Sequence, residues 1–200
     1  EKVILLLGPT GSGKTTMLKW LENELRGERD LSIFFMSKAP KDEKELIEQL
    51  NHHISRFRLL RWIPFLRSHI RNTSEIVPKL KRKFGEKRLV ILVDEAHEAG
   101  IEALRWLRVI GDHANVTIIL SALPVFEGQL QAKLETLRKR VSTRIVLRRL
   151  EKEIEVKELI EKRIKLVSDG EGKNPFTESA IRKIFEISGG FPREILRLCN

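Results

Sequence analysis

Eight consecutive residues, Gly8-Pro9-Thr10-Gly11-Ser12-Gly13-Lys14-Thr15, match the pattern G-x-x-x-x-G-K-[ST] at every required position. Glycines at this spacing let the backbone curl so that successive N–H groups converge, which grips phosphate oxygens without a side chain. Lys14 would reach the β- and γ-phosphates of a nucleoside triphosphate, Thr15 would offer its hydroxyl to Mg²⁺, and Thr16 completes the cofactor-binding set. The plain alternative is a glycine-rich turn that binds nothing. A second constellation is the acidic pair Asp94-Glu95, which ends the apolar run Val90-Ile91-Leu92-Val93. Asp94 would hold Mg²⁺ directly or through water, and Glu95 would orient and deprotonate an attacking water. Its alternative is two carboxylates solvated in a loop. The two motifs together point to phosphoryl transfer. A Glu directly after the Mg²⁺ carboxylate favours water as acceptor, and no acceptor pocket for a small-molecule kinase is evident.

Such groups work only if strands and helices deliver them to one place. Short apolar runs at 3–7, 31–36, 89–93, 116–120 and 144–147 suit strands buried on both faces. Apolar residues at helical spacing fill 15–25, 42–54, 74–84, 101–110 and 126–140 between them. This alternation predicts an α/β fold: a three-layer sandwich around a mostly parallel five-stranded sheet, over residues 1–149. In such sheets ligands collect beyond the carboxyl ends of the strands, where both motifs fall. Residues 150–200 read as helices only, at 153–167, at 177–187 with Thr177 as N-cap, and from Pro192 after Gly189-Gly190. That predicts a small all-helical lid of about fifty residues, small for independent folding and expected to pack on the sandwich.

The chain has 200 residues, of which 41% are hydrophobic and 33% charged, enough apolar content for a folded core. The single cysteine, Cys199, excludes an internal disulfide and a cysteine metal cluster, and suits a reducing cytoplasmic setting. No run is long enough for a membrane span or a signal peptide. The chain starts almost on its first strand, so it is expected to be part of a longer protein. Net charge is +10, which raises the expectation of a polyanionic partner, although phosphate-binding domains carry functional basic residues of their own.

These motifs, in this order, resemble those of the AAA+ ATPases, and within them the origin-recognition and Cdc6-like group with its relatives in transposition and secretion. The resemblance rests on the loop at 8–15, the Asp94-Glu95-Ala96-His97 box, the run Val116 to Ser121 and Ser188-Gly189-Gly190-Phe191-Pro192-Arg193. It implies ATP/ADP and Mg²⁺ as cofactors and ATP hydrolysis as the reaction. It also implies that Ser121 touches the γ-phosphate or the attacking water, and that Arg193 reaches the γ-phosphate from the lid. Many relatives carry Asn at the position of Ser121. Arg140 and Arg144 occupy the place from which relatives lend an arginine to a neighbouring subunit, so a homo- or hetero-oligomer is implied, with a solvated basic helix end as the alternative. Asp-Glu-Ala-His also names a helicase class, but this chain lacks the tandem second domain. His97 is expected to pack beside the site or to link it to a neighbouring element.

Residues 49–74 contain no acidic side chain. They carry Arg56, Arg58, Arg61, Arg67 and Arg71, interleaved with Phe57, Trp62 and Phe65, and interrupted by Pro64. As a basic helical insertion at about 51–74, this segment could contact DNA, a protein partner or a membrane surface, or fold back on the core. The leading expectation is an ATP-dependent switch associated with DNA, in which hydrolysis changes the angle between core and lid. The alternative is a nucleotide-controlled signalling or secretion-assembly ATPase that does not bind DNA.

Overall fold

The computed structural model describes residues 3–56, 70–168 and 172–200. Five strands, β1 (Val3–Leu7), β2 (Leu31–Met36), β3 (Arg88–Val93), β4 (Val116–Ala122) and β5 (Val141–Val146), form one sheet in the order β2-β3-β4-β1-β5. Every pairing is parallel. Consecutive residues Leu89 to Val93 are all buried, as are Leu5, Leu6 and Leu7, so both faces of the sheet are covered. That is why these strands read as unbroken apolar runs rather than as alternating ones.

The helices of this part are α1 (Lys14–Leu25), α2 (Glu43–Arg56), α3 (Ile76–Phe84), α4 (Ile101–His113), α5 (Phe126–Lys133) and α6 (Glu135–Arg138). Apolar residues recur three or four apart on the long helices: Leu46, Leu50 and Ile54 on α2, Ile76 and Leu80 on α3, Leu104, Leu107 and Ile110 on α4. These side chains join Val3, Leu5, Leu7, Ile91, Val93, Ile118 and Leu120 in one core cluster. The alternate sheet residues Leu6, Val90, Leu92 and Ile119 are buried outside that cluster, as is Leu18 of α1.

Among the boundaries that differ from the sequence reading, two lie between β4 and β5. The expected helix over 126–140 resets at Leu134, whose φ of −138° and ψ of 43° are not helical. Leu130, Leu134 and Leu137 stay buried through the reset, and the chain arrives at β5 three residues ahead of the expected strand start. That strand lies at the sheet edge with the sequence Val-Ser-Thr-Arg-Ile-Val, so a search for apolar runs finds only its second half.

The chain divides into two compact units: Glu1–Leu7 with Lys14–Val146, and Gly8–Gly13 with Leu147–Asn200. The second unit contains α7 (Glu153–Val167), α8 (Glu178–Ser188) and α9 (Pro192–Leu198), which share a core of Val156, Ile160, Ile181, Ile184 and Ile195. Thr177 caps α8 by accepting the N–H of Ala180 at 3.3 Å, and Gly189 ends it in the left-handed conformation at φ 58°. Gly190 follows at φ 77°, and a Cβ there would lie 2.0 Å from the Leu150 carbonyl oxygen, so that close crossing requires glycine. Among the described residues, no helix is long and apolar enough to cross a membrane.

Candidate functional site

Strand register does the positioning. Val93 pairs with Leu120 and Leu6 pairs with Ser121, so the residue after β3, Asp94, and the polar residue near the end of β4, Ser121, arrive side by side. The Asp94 N–H still donates to the Met36 carbonyl at 3.0 Å, which fixes its backbone to β2. Both side chains are buried. Ser121 Oγ donates to Asp94 Oδ1 at 2.8 Å, and Thr15 Oγ1, from the first turn of α1, donates to Oδ2 at 2.6 Å. The Glu95 N–H adds a third donor to Oδ1 at 3.0 Å. Three donors on one buried carboxylate satisfy its oxygens and lock its plane. Thr15 and Asp94 thereby bring two hard oxygen donors together, a set suited to Mg²⁺.

Glu95 is the only non-glycine residue with positive φ among those described, at φ 52° and ψ 38°. For a residue with a Cβ this conformation costs on the order of 1–2 kcal/mol. The strain turns the chain sharply from β3 into a short 3₁₀ turn, Ala96–Glu98, closed by a bond from the Glu98 N–H to the Glu95 carbonyl at 2.8 Å. The Glu95 side chain is half-exposed. Glu95 Oε2 lies 3.3 Å from His97 Nε2, and His97 Nδ1 accepts the N–H of Leu123 at 3.4 Å.

The loop itself, Gly8–Gly13, falls in the second unit. Gly11 and Gly13 take φ of 81° and 94°, conformations that favour glycine, and the Ser12 N–H closes a turn on the Pro9 carbonyl at 3.3 Å. A Cβ on Gly8 would sit 2.5 Å from Ser12 Oγ. That hydroxyl is buried and has no hydrogen-bond partner among the described residues. An orphaned hydroxyl inside a glycine cradle fits a phosphate oxygen as its missing partner. Lys14, the first residue of α1, is buried as well. Within the second unit the Arg193 N–H donates to the Gly11 carbonyl at 3.3 Å, so the start of α9 is tied to the glycine loop.

The two basic residues before and within β5 are engaged elsewhere. Arg140 grips Asp112 through Nε at 2.8 Å, and Arg108 shares the same carboxylate at 3.1 Å. Arg144 pairs with Glu127 at 2.8 Å. Arg58, Arg61 and Arg67 lie outside the described residues, and of Arg56 only the helical backbone is described. What sequence reasoning missed is the Leu123 N–H, a backbone donor that no residue type announces.

A parallel sheet with a glycine-rich loop after its first strand and a carboxylate after its third is the arrangement of the P-loop NTPase α/β fold. The chain belongs to the AAA domain family, whose family model matches residues 1–130. No curated protein sequence matches it. Among solved structures, the Aeropyrum pernix ORC2 protein, in ADPNP–ADP complexes, aligns with a TM-score of 0.66 at 16% identity over 98% of this chain and 55% of that one. Cdc6p from Pyrobaculum aerophilum aligns with a TM-score of 0.69 at 13% identity, covering 98% and 52%. The Thermotoga maritima RuvB Holliday junction branch migration motor aligns with a TM-score of 0.56 at 21% identity, covering 98% and 52%. At these identities the likeness is one of fold, and the chain spans about half the length of each.

Proposed function

We propose that this AAA domain binds ATP with Mg²⁺ and hydrolyses it, and that the cycle switches an association with DNA. The observation that carries the proposal is the buried carboxylate of Asp94, held between the hydroxyls of Thr15 and Ser121. The N–H groups of Gly8 to Gly13 and the Lys14 ammonium take the triphosphate, and Thr15 and Asp94 hold the metal. Bound there, Mg²⁺ would neutralise charge on the phosphate oxygens. Glu95 receives the proton of the attacking water. Arg193, tied to Gly11 through its backbone, reads the terminal phosphate with a guanidinium suited to bidentate contact. Arg140 and Arg144 are the residues proposed to act on the site of a neighbouring subunit.

The DNA association is supported by the net charge of +10 and by the fold shared with proteins described as ORC bound to DNA, as an ORC1 protein in complex with DNA and as a branch migration motor. Its contacts are assigned to Arg56, Arg58, Arg61 and Arg67. Glu95→Gln should retain ATP binding and lose turnover; full turnover in that variant removes Glu95 from its role. Replacing Arg58, Arg61 and Arg67 with Glu should abolish a salt-dependent affinity for DNA. Absence of any DNA binding at low salt with ATP present would leave a switch of protein association instead.

A further inference from the structure

We propose that His97 is a positioning residue for Glu95, tying the aim of its carboxylate to the backbone at the end of β4. This rests on the reading of Glu95 as the proton acceptor. Glu95 has a long side chain that is 45% exposed, so packing alone does not hold its carboxylate. Its side-chain partner in the structure is His97 Nε2, 3.3 Å from Oε2. The imidazole is only 12% exposed, and its other nitrogen faces a backbone donor, the Leu123 N–H, at 3.4 Å.

A ring nitrogen that accepts a hydrogen bond carries no proton, so the neutral ring must hold its proton on Nε2, where it points at Glu95. The backbone of Leu123 thus selects the tautomer that serves the carboxylate. Leu123 follows directly on β4, and Ser121 of that strand donates to Asp94. One strand end therefore holds both members of the acidic pair: Ser121 grips Asp94 directly, and Leu123 grips Glu95 through His97. Displacing the end of β4 re-aims both carboxylates together, which makes this short segment the point where an event elsewhere in the protein can gate hydrolysis.

The test uses three variants of the whole chain. In His97→Gln the amide NH₂ takes the place of Nε2–H and still reaches Glu95. In His97→Asn the amide oxygen takes the place of Nδ1 and accepts from Leu123, but the side chain is too short for Glu95. His97→Ala loses both contacts. Turnover should fall about 10- to 100-fold in Asn and Ala and stay within about threefold of wild type in Gln, with KM for ATP nearly constant throughout. In a Glu95→Gln background, His97→Asn should produce no further loss. ¹⁵N NMR of the histidine ring, without nucleotide, should find the proton on Nε2 in both wild type and Glu95→Gln. Full turnover in His97→Asn, Gln as slow as Ala, or a proton on Nδ1 would overturn the proposal. Full turnover in Glu95→Gln would instead overturn the role of Glu95 itself, whatever His97 does.

Discussion

Removing a single oxygen atom, in Ser121→Ala, tests whether the buried carboxylate organises the core. Ser121 is fully buried and its hydroxyl donates to an equally sequestered Asp94 at 2.8 Å. A hydrogen bond to a charged group contributes about 1.5–3 kcal/mol net. The void left by a hydroxyl is too small to admit water, so nothing replaces the donor and the upper half of that range applies, about 2–3 kcal/mol. For a chain of this size that lowers the melting temperature by about 4–12 °C. Trp20 on α1 and Trp106 on α4 both belong to the first unit, so their fluorescence during urea unfolding reports on the unit that contains Ser121. Ser142→Ala is the internal control. Its hydroxyl donates to the neutral Val3 carbonyl at 3.0 Å on the edge strand, and its loss should cost about 0.5–1.5 kcal/mol. Measured without nucleotide or Mg²⁺, Ser121→Ala must cost more than Ser142→Ala. An equal or smaller loss refutes the claim that the Asp94 cluster is a charged, fully sequestered contact.

Gly190→Ala should destabilise the helical unit by at least about 2 kcal/mol, because its φ of 77° and the Leu150 carbonyl both oppose a Cβ; faster hydrogen exchange in α8 and α9 reports it. Trp106→Phe removes the bond from the indole N–H to Glu43, at 2.8 Å between α4 and α2, and should cost about 1 kcal/mol in urea unfolding followed by far-UV circular dichroism. Burial pushes the Cys199 thiol above its ordinary value, so less thiolate forms near neutrality and alkylation at pH 8 should run slower in the native chain than in the unfolded one. Arg140→Ala and Arg144→Ala should each leave ATP binding intact; the one acting between subunits should remove the rise of specific activity with protein concentration.

What the sequence determines by itself is whatever is written in local pattern. Gly8 to Thr15 could be read as a phosphate cradle because backbone conformation there is dictated by glycine, and four of the five strands were legible because burial on both faces leaves unbroken apolar runs. The second half of β5 was legible and the first was not, since an edge strand tolerates Ser142, Thr143 and Arg144. Strand order was beyond reach. Only the folded sheet inserts β4 between β1 and β3, and only parallel register then brings Ser121 beside Asp94, 27 positions apart in the chain. The left-handed turn at Glu95 and the Leu123 N–H that orients His97 belong to the same category. Residue types state which chemistry is possible; the alignment of strand ends in space decides which groups share one carboxylate, because that alignment follows from the packing of the whole sheet.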